Sequence, residues 1–259
     1  IRCFEDTNII HVEGKISPIS DLETIDTELI LSDLEIVQKR RERIFKQLRS
    51  GDKETQSEHD LLEKLESGLN QNIPIRNIAI EENDKEFLKQ MQLVTGKPFF
   101  FIANLHEDEN KNTHLPELED YAAKNNLSII KVFAKAEGEL VDLDEEEKKE
   151  YLNLLGLEEP ALNLVIRKGY EMLDLFSYFT AGPKEVRAWS VKTGSTAPEA
   201  AGKIHTDFER GFIKAEVISF EDYIESGSES GAKEQGKLKM EGKEYIVQDG
   251  DVIHFKFNV

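Results

Sequence analysis

Residues Pro98 to Glu107 read Pro-Phe-Phe-Phe-Ile-Ala-Asn-Leu-His-Glu, a greasy strand that stops on an Asn-x-x-Glu loop. An amide and a carboxylate placed there can read a purine edge, because open parallel sheets bind ligands beyond the carboxyl ends of their strands. In GTP-binding proteins the corresponding loop has Lys second and Asp fourth, and the Asp accepts two N–H bonds from guanine. Here Leu105 and Glu107 take those places. The extra methylene of Glu moves the carboxylate, and Leu supplies neither a Lys stem nor a charge. A site that hydrogen-bonds one base edge discriminates against the other, so the exchange points towards adenine. The bland alternative is that Asn104 caps a turn. Asn83–Glu86 matches the same four-residue pattern inside an expected helix, so the residues alone leave both readings open.

Other chemistry is sparse. A second strand ends in Phe133-Ala134-Lys135, where base-binding domains place a loop that backs the purine. Phosphate binding needs a Gly-rich loop with Lys and a magnesium-binding Ser or Thr. The near match Gly231-Ala-Lys-Glu-Gln-Gly236-Lys237-Leu238 fails, because Leu238 cannot ligate magnesium and a polar loop precedes it. The histidines (His11, His59, His106, His114, His205, His254) include no i, i+4 pair, so no metal-ligand cluster is expected. No Gly-x-Ser-x-Gly elbow is present. Trp189 reads as core or edge packing rather than a base-stacking platform.

These residues sit on elements legible from spacing. Ser20-Asp-Leu-Glu23 reads as a capping box. Leu22, Ile25, Leu29, Val37, Ile44 and Leu48 then recur at helical period. After Ser50-Gly51-Asp52, Leu61, Leu62, Leu65 and Leu69 share one face, giving a helical hairpin whose outer face is a solvated surface or a partner-binding arm. A short helix is expected around Asp84 to Val94. Strand Phe99–Ala103, a helix near Leu115–Lys124 and strand Ser128–Phe133 form a strand–helix–strand unit. Helices are expected over Asp142–Leu155 and Ala161–Leu175. Beyond Tyr178, strands at Glu185–Val191 and Phe212–Phe220, a Thr196-capped helix, a loop over Ser226–Gly236 and the alternating Ile253–Val259 make a small α+β domain.

Composition bounds the partners. The 259 residues carry a net charge of −19, which opposes bulk attraction to nucleic acid or an anionic membrane. Residues 178–259 hold 11 Lys and Arg against 14 Asp and Glu, a net of −3, leaving −16 on residues 1–177. The C-terminal third is therefore the better candidate for touching RNA. Cys3 is the only cysteine, which excludes an internal disulfide and points to a reducing, cytoplasmic setting. No run is long and apolar enough for a membrane span.

Taken together, the chain resembles the Obg-like ATPase family, also called YchF, within the TRAFAC class of P-loop nucleotide hydrolases. The resemblance is carried by Tyr178-Phe-Thr-Ala-Gly-Pro-Lys-Glu-Val-Arg-Ala-Trp189, by Gly194 through Phe208, and by Tyr245 through Val259. Arg2 through Val12 and Leu157 through Asn163 add to it. It implies an α/β fold: part of a G-domain parallel sheet with an inserted α-helical hairpin, then a β-grasp TGS domain. The implied divisions are 1–14 and 97–177 for the G domain, 15–96 for the helical arm and 178–259 for the TGS domain.

The resemblance further implies an ATP hydrolase that prefers ATP to GTP and acts with the large ribosomal subunit in translation or stress regulation. RNA is a further implied partner of the TGS domain. Asn104, Leu105 and Glu107 become adenine-contacting residues, and Ala134 and Lys135 the supporting loop. His11 takes the place of a residue proposed to position the attacking water; a surface-loop His is the alternative. The family's phosphate loop and its Mg2+ ligands would lie upstream of Ile1, so these 259 residues alone are expected to hydrolyse ATP negligibly. The competing class is a non-enzymatic module that docks to ribosome or RNA through the arm and the TGS domain.

Overall fold

The computed structural model describes residues 1–6, 9, 14–47, 53–182 and 185–258, in two compact units divided at Val165/Ile166. In the first unit, α1 (Pro18–Gln47) and α2 (Lys53–Asn70) pack as a hairpin. Ile30, Val37 and Ile44 recur every seventh residue on α1 and bury against Leu61, Leu62, Leu65 and Leu69 of α2. That stripe is what makes two helices of otherwise polar sequence stay together. Two details differ from the sequence reading. Helix α1 starts at Pro18, so Ser20 lies inside its first turn, and Ile25 is exposed.

One buried residue on this stripe carries a carboxyl group. The Asp33 carboxylate accepts from the Val94 and Thr95 N–H groups (2.8 and 2.7 Å) and from the Thr95 hydroxyl (2.7 Å). Thr95 Oγ1 in turn accepts from Ile75 N–H at 3.0 Å. The hairpin is thereby fastened to the single-turn helix Val94–Gly96, which follows α3 (Lys85–Met91) and leads into β1 (Phe101–Asn104).

Strand β1 pairs in parallel with β2 (Ile129–Val132), the connection running through α4 (Leu115–Lys124). Residues 1–4 add a third parallel line on the other side of β1: Asn104 N–H donates to Ile1 O (2.8 Å) and Cys3 N–H to Asn104 O (3.0 Å). Cys3, Phe101, Ala103, Leu105, Leu118 and Ala122 form the core under this sheet, with Leu22 of α1. Burial pushes the Cys3 thiol up to about 11, so it behaves as a small hydrophobe. Helices α5 (Ala134–Glu139), α6 (Glu145–Leu154) and α7 (Ala161–Met172) follow. Among the described residues, no helix is long and apolar enough to cross a membrane.

The second unit is a five-stranded sheet in the order β4-β3-β7-β5-β6, formed by β3 (Leu175–Ala181), β4 (Val186–Lys192), β5 (Phe212–Ile218), β6 (Lys239–Glu241) and β7 (Val252–Phe257). The central β3–β7 pair is parallel and its neighbours are antiparallel, the β-grasp arrangement. Helix α8 (Ala197–Ile204), continued by α9 (Thr206–Arg210), packs on the sheet through Ala197, Ala200 and Ala201. These small side chains admit the buried Tyr178 ring, whose hydroxyl donates to Ala200 O at 2.9 Å. Glu199 accepts from the Thr196 N–H and hydroxyl (2.7 and 3.0 Å), which holds its carboxyl below the usual range. Trp189 packs on this core, as expected, with Nε1–H donating to Thr180 Oγ1. Gly211 has no room for a side chain, since a Cβ there would meet Asn258 O at 2.2 Å.

Strand β3 replaces part of a helix expected to run to Leu175. Helix α7 ends because Asp174 takes a left-handed backbone (φ 55°), which Asp tolerates better than most residues. The expected Ser226–Gly236 loop follows α10 (Phe220–Ser226) and itself contains α11 (Glu229–Glu234), capped by Ser228, whose Oγ accepts from Gly231 N–H.

Buried Asp251 accepts from Tyr245 O–H (2.7 Å) and Gln248 N–H (2.9 Å), yet its burial keeps the carboxyl above its ordinary value. A carboxyl raised in the fold favours folding below its unfolded value, roughly pH 3.9, and that contribution is lost as pH rises through the folded value. Asp251→Asn is therefore expected to flatten this part of the stability–pH curve. Melting curves of the two proteins from pH 3.5 upward check it; parallel curves would exclude it.

Candidate functional site

Strand β1 delivers Asn104 to the carboxyl edge of the parallel sheet, where its Oδ1 accepts from Ala134 N–H at 3.3 Å. That bond brings the two sequence-picked loops together. Leu105 extends the ladder by one step, its N–H donating to Val132 O at 2.8 Å, and its side chain points into the core with Cys3 and Leu118. Leu105 therefore shapes the loop from beneath.

Glu107 lies beside Lys135, with Oε1 to Nζ at 3.8 Å. Its Oε1 is buried and has no hydrogen-bond partner. Such an atom is a standing acceptor, since leaving one unmade costs about 1–3 kcal/mol. Lys135 Nζ is also 3.9 Å from Glu139 Oε1, and Glu139 Oε2 accepts from Tyr151 O–H at 2.6 Å. That bond pushes the Tyr151 phenol up to about 12. A row of alternating carboxylates and donors thus backs the loop. Glu137 Oε1 takes Ala161 N–H at 2.7 Å and ties α5 to the start of α7.

The loop is braced from within by a residue that sequence reasoning did not pick. Asn112 accepts from His106 N–H and donates to His106 O, both at 2.8 Å. Asp108 accepts from Asn110 N–H and Nδ2, which holds its carboxyl below the usual range. Glu5 N–H donates to Lys111 O, and His114 N–H to Cys3 O, fixing the loop to the first residues of the chain. Asn112, Glu139 and Tyr151 belong to no motif, and only their folded positions reveal them. His11 lies outside the described residues.

The phosphate-loop near match is built for another purpose. Gly231 sits inside α11, and Lys237 pairs with Asp222 (2.9 Å) and Glu225 (2.7 Å).

The family profile YchF-GTPase_C, described as a protein of unknown function (DUF933), matches residues 175–258. The ribosome-binding ATPase YchF of Haemophilus influenzae is 50% identical over 261 residues, covering 100% of this chain and 72% of that protein. The Bacillus subtilis protein of the same name is 47% identical over 263 residues, with the same coverage. The chain belongs to the YchF family. A solved YchF GTPase from Schizosaccharomyces pombe superposes with a TM-score of 0.82 at 33% identity, covering 99% of this chain and 70% of that one. The YchF fold accounts for the parallel sheet and the C-terminal domain together. A GTP-binding protein from Pyrococcus horikoshii, 18% identical with a TM-score of 0.59 and covering 96% of this chain and 75% of that one, shares the fold alone.

Proposed function

We propose that this chain is the base-reading and ribosome-docking portion of an ATP-binding nucleotide hydrolase that prefers ATP to GTP. The observation that carries the reading is the Glu107 carboxylate, buried at Oε1 without a donor, on a loop whose Asn104 grips Ala134. Guanine needs a carboxylate at the reach of Asp to take two N–H groups together. The longer Glu is suited to the single exocyclic amino group of adenine, and Lys135 lies beside it at 3.8 Å. Asn104, Glu107, Ala134 and Lys135 are the proposed nucleotide-contacting residues, Leu105 shapes their loop from the core, and His11 is proposed to position water for hydrolysis.

In this reading residues 1–14 and 97–177 belong to the nucleotide domain, 15–96 form its inserted arm, and 178–259 are a TGS domain. The names of the relatives support a ribosomal partner. The large subunit as contact surface, and RNA at the TGS domain, are part of the proposal. The Mg2+ that such a hydrolase uses to neutralise phosphate charge is assigned to residues other than these, which contain no complete phosphate loop.

Titrating ATP and GTP against the intact protein with magnesium tests the reading. ATP is expected to bind at least about tenfold more tightly, the worth of one hydrogen bond to a charged group. Equal affinities would sink the base-selection argument.

A further inference from the structure

On the β-grasp sheet, far in sequence from the nucleotide loop, three metal-binding side chains meet. His254 of β7 stands directly across from Glu216 of β5, so both project from the same face. Glu229, the first residue of α11, approaches from above. His254 Nδ1 lies 4.0 Å from both Glu216 Oε2 and Glu229 Oε1, and one ligand atom of each residue falls within 4.8 Å of the others. The three line a cavity of about 10 Å³ whose floor is Ala181, Ile218, Leu238 and Val252. That is room for one particle the size of a water molecule, set against apolar walls that strengthen any charge interaction above them.

We propose that Glu216, Glu229 and His254 form a binding site for a divalent transition metal of the zinc type, which pins α11 to the sheet. One imidazole nitrogen with two carboxylate oxygens is a donor set suited to such an ion, whereas magnesium and calcium favour oxygen alone. Ligands about 2.1 Å from a tetrahedral zinc stand about 3.4 Å apart. The gaps, 4.0 Å to His254 and within 4.8 Å overall, close by side-chain rotation, and water fills the fourth position. Lys256 is the built-in competitor, because its Nζ sits 3.1 Å from Glu216 Oε2. The ion must displace this ammonium.

The test is titration of the metal-stripped protein with Co2+, followed by its visible absorption, and with Zn2+ by calorimetry. One equivalent is expected to bind, with the absorption of four-coordinate cobalt. His254→Ala and Glu229→Gln should each weaken binding by at least about 10- to 100-fold, the loss that removing even an outer partner of a metal ligand causes. His254 is 54% exposed in its side chain, so its loss leaves the core intact, which an unchanged melting temperature without metal confirms. Lys256→Met should tighten binding, because it removes the ammonium that competes for Glu216. His205→Ala should change nothing. Absence of stoichiometric binding, binding unaltered by His254→Ala, or weaker binding in Lys256→Met would each overturn the proposal.

Discussion

Replacing Asp33 by Ala is expected to lower the stability of the first unit by about 3–5 kcal/mol, because three donors lose their shared buried acceptor at about 1–3 kcal/mol each. Asp33 is fully buried and accepts three hydrogen bonds, from Val94 N–H, Thr95 N–H and the Thr95 hydroxyl. Each donor left without a partner in the interior costs about 1–3 kcal/mol, reduced where water enters the space vacated. The damage propagates one step further, because the same hydroxyl oxygen holds Ile75 N–H. Asp33→Asn keeps the volume but halves the acceptor capacity, so it should fall between the two. Denaturant unfolding gives the loss in free energy. Amide hydrogen exchange should show Ile75, Val94 and Thr95 losing protection while β5 and β7 keep theirs. A loss below about 1 kcal/mol would mean that the helices alone position this segment.

Glu107→Asp is expected to shift base preference by about 10- to 150-fold towards GTP, on the reading that this carboxylate contacts the base. The range is the worth of one hydrogen bond to a charged group, about 1.5–3 kcal/mol. Shortening the side chain by a methylene withdraws the acceptor from the amino group of adenine and brings it nearer the reach that guanine requires. It also lengthens the already loose 3.8 Å approach to Lys135. On the same reading the phosphates are held by other residues, so the ratio of the ATP and GTP dissociation constants should move much more than their mean. A uniform loss of affinity for both nucleotides would assign Glu107 to holding the loop rather than reading the base.

What the sequence reveals about this molecule follows the range of the forces involved. The stripe of Val37, Ile44, Leu61, Leu62, Leu65 and Leu69 is legible because helical burial repeats every few residues. The parallel pair β1 and β2 is legible for a similar reason, since two apolar runs flank an amphipathic helix. Asp33 is silent, because its partners are 61 and 62 residues away and a charge on a helix reads as solvent-facing. Strand β3 was hidden by helical spacing that runs up to it, broken only by the left-handed Asp174. Helix α11 was masked by Ser and Gly, which here serve as its cap and first turn. In the loop after β1, Asn104 and Glu107 carry a pattern, whereas Asn112, Glu139 and Tyr151 act through contacts that no spacing encodes. The Glu216–Glu229–His254 cluster is of the same kind, as its ligands come from three separate elements.

The pairing of β3 with β7 has a consequence for how the protein is made. The central parallel partners of the second unit, joined at Phe179 and Val252, are its first and last strands. The sheet therefore has no middle until residues 252–257 have left the ribosome, and closing so long a loop is slow. The hairpin of β3 and β4 must wait in the meantime with one edge of β3 open, which invites pairing with other chains. A premature stop codon only a few residues before Val252 would leave most of the unit translated and its sheet without a centre.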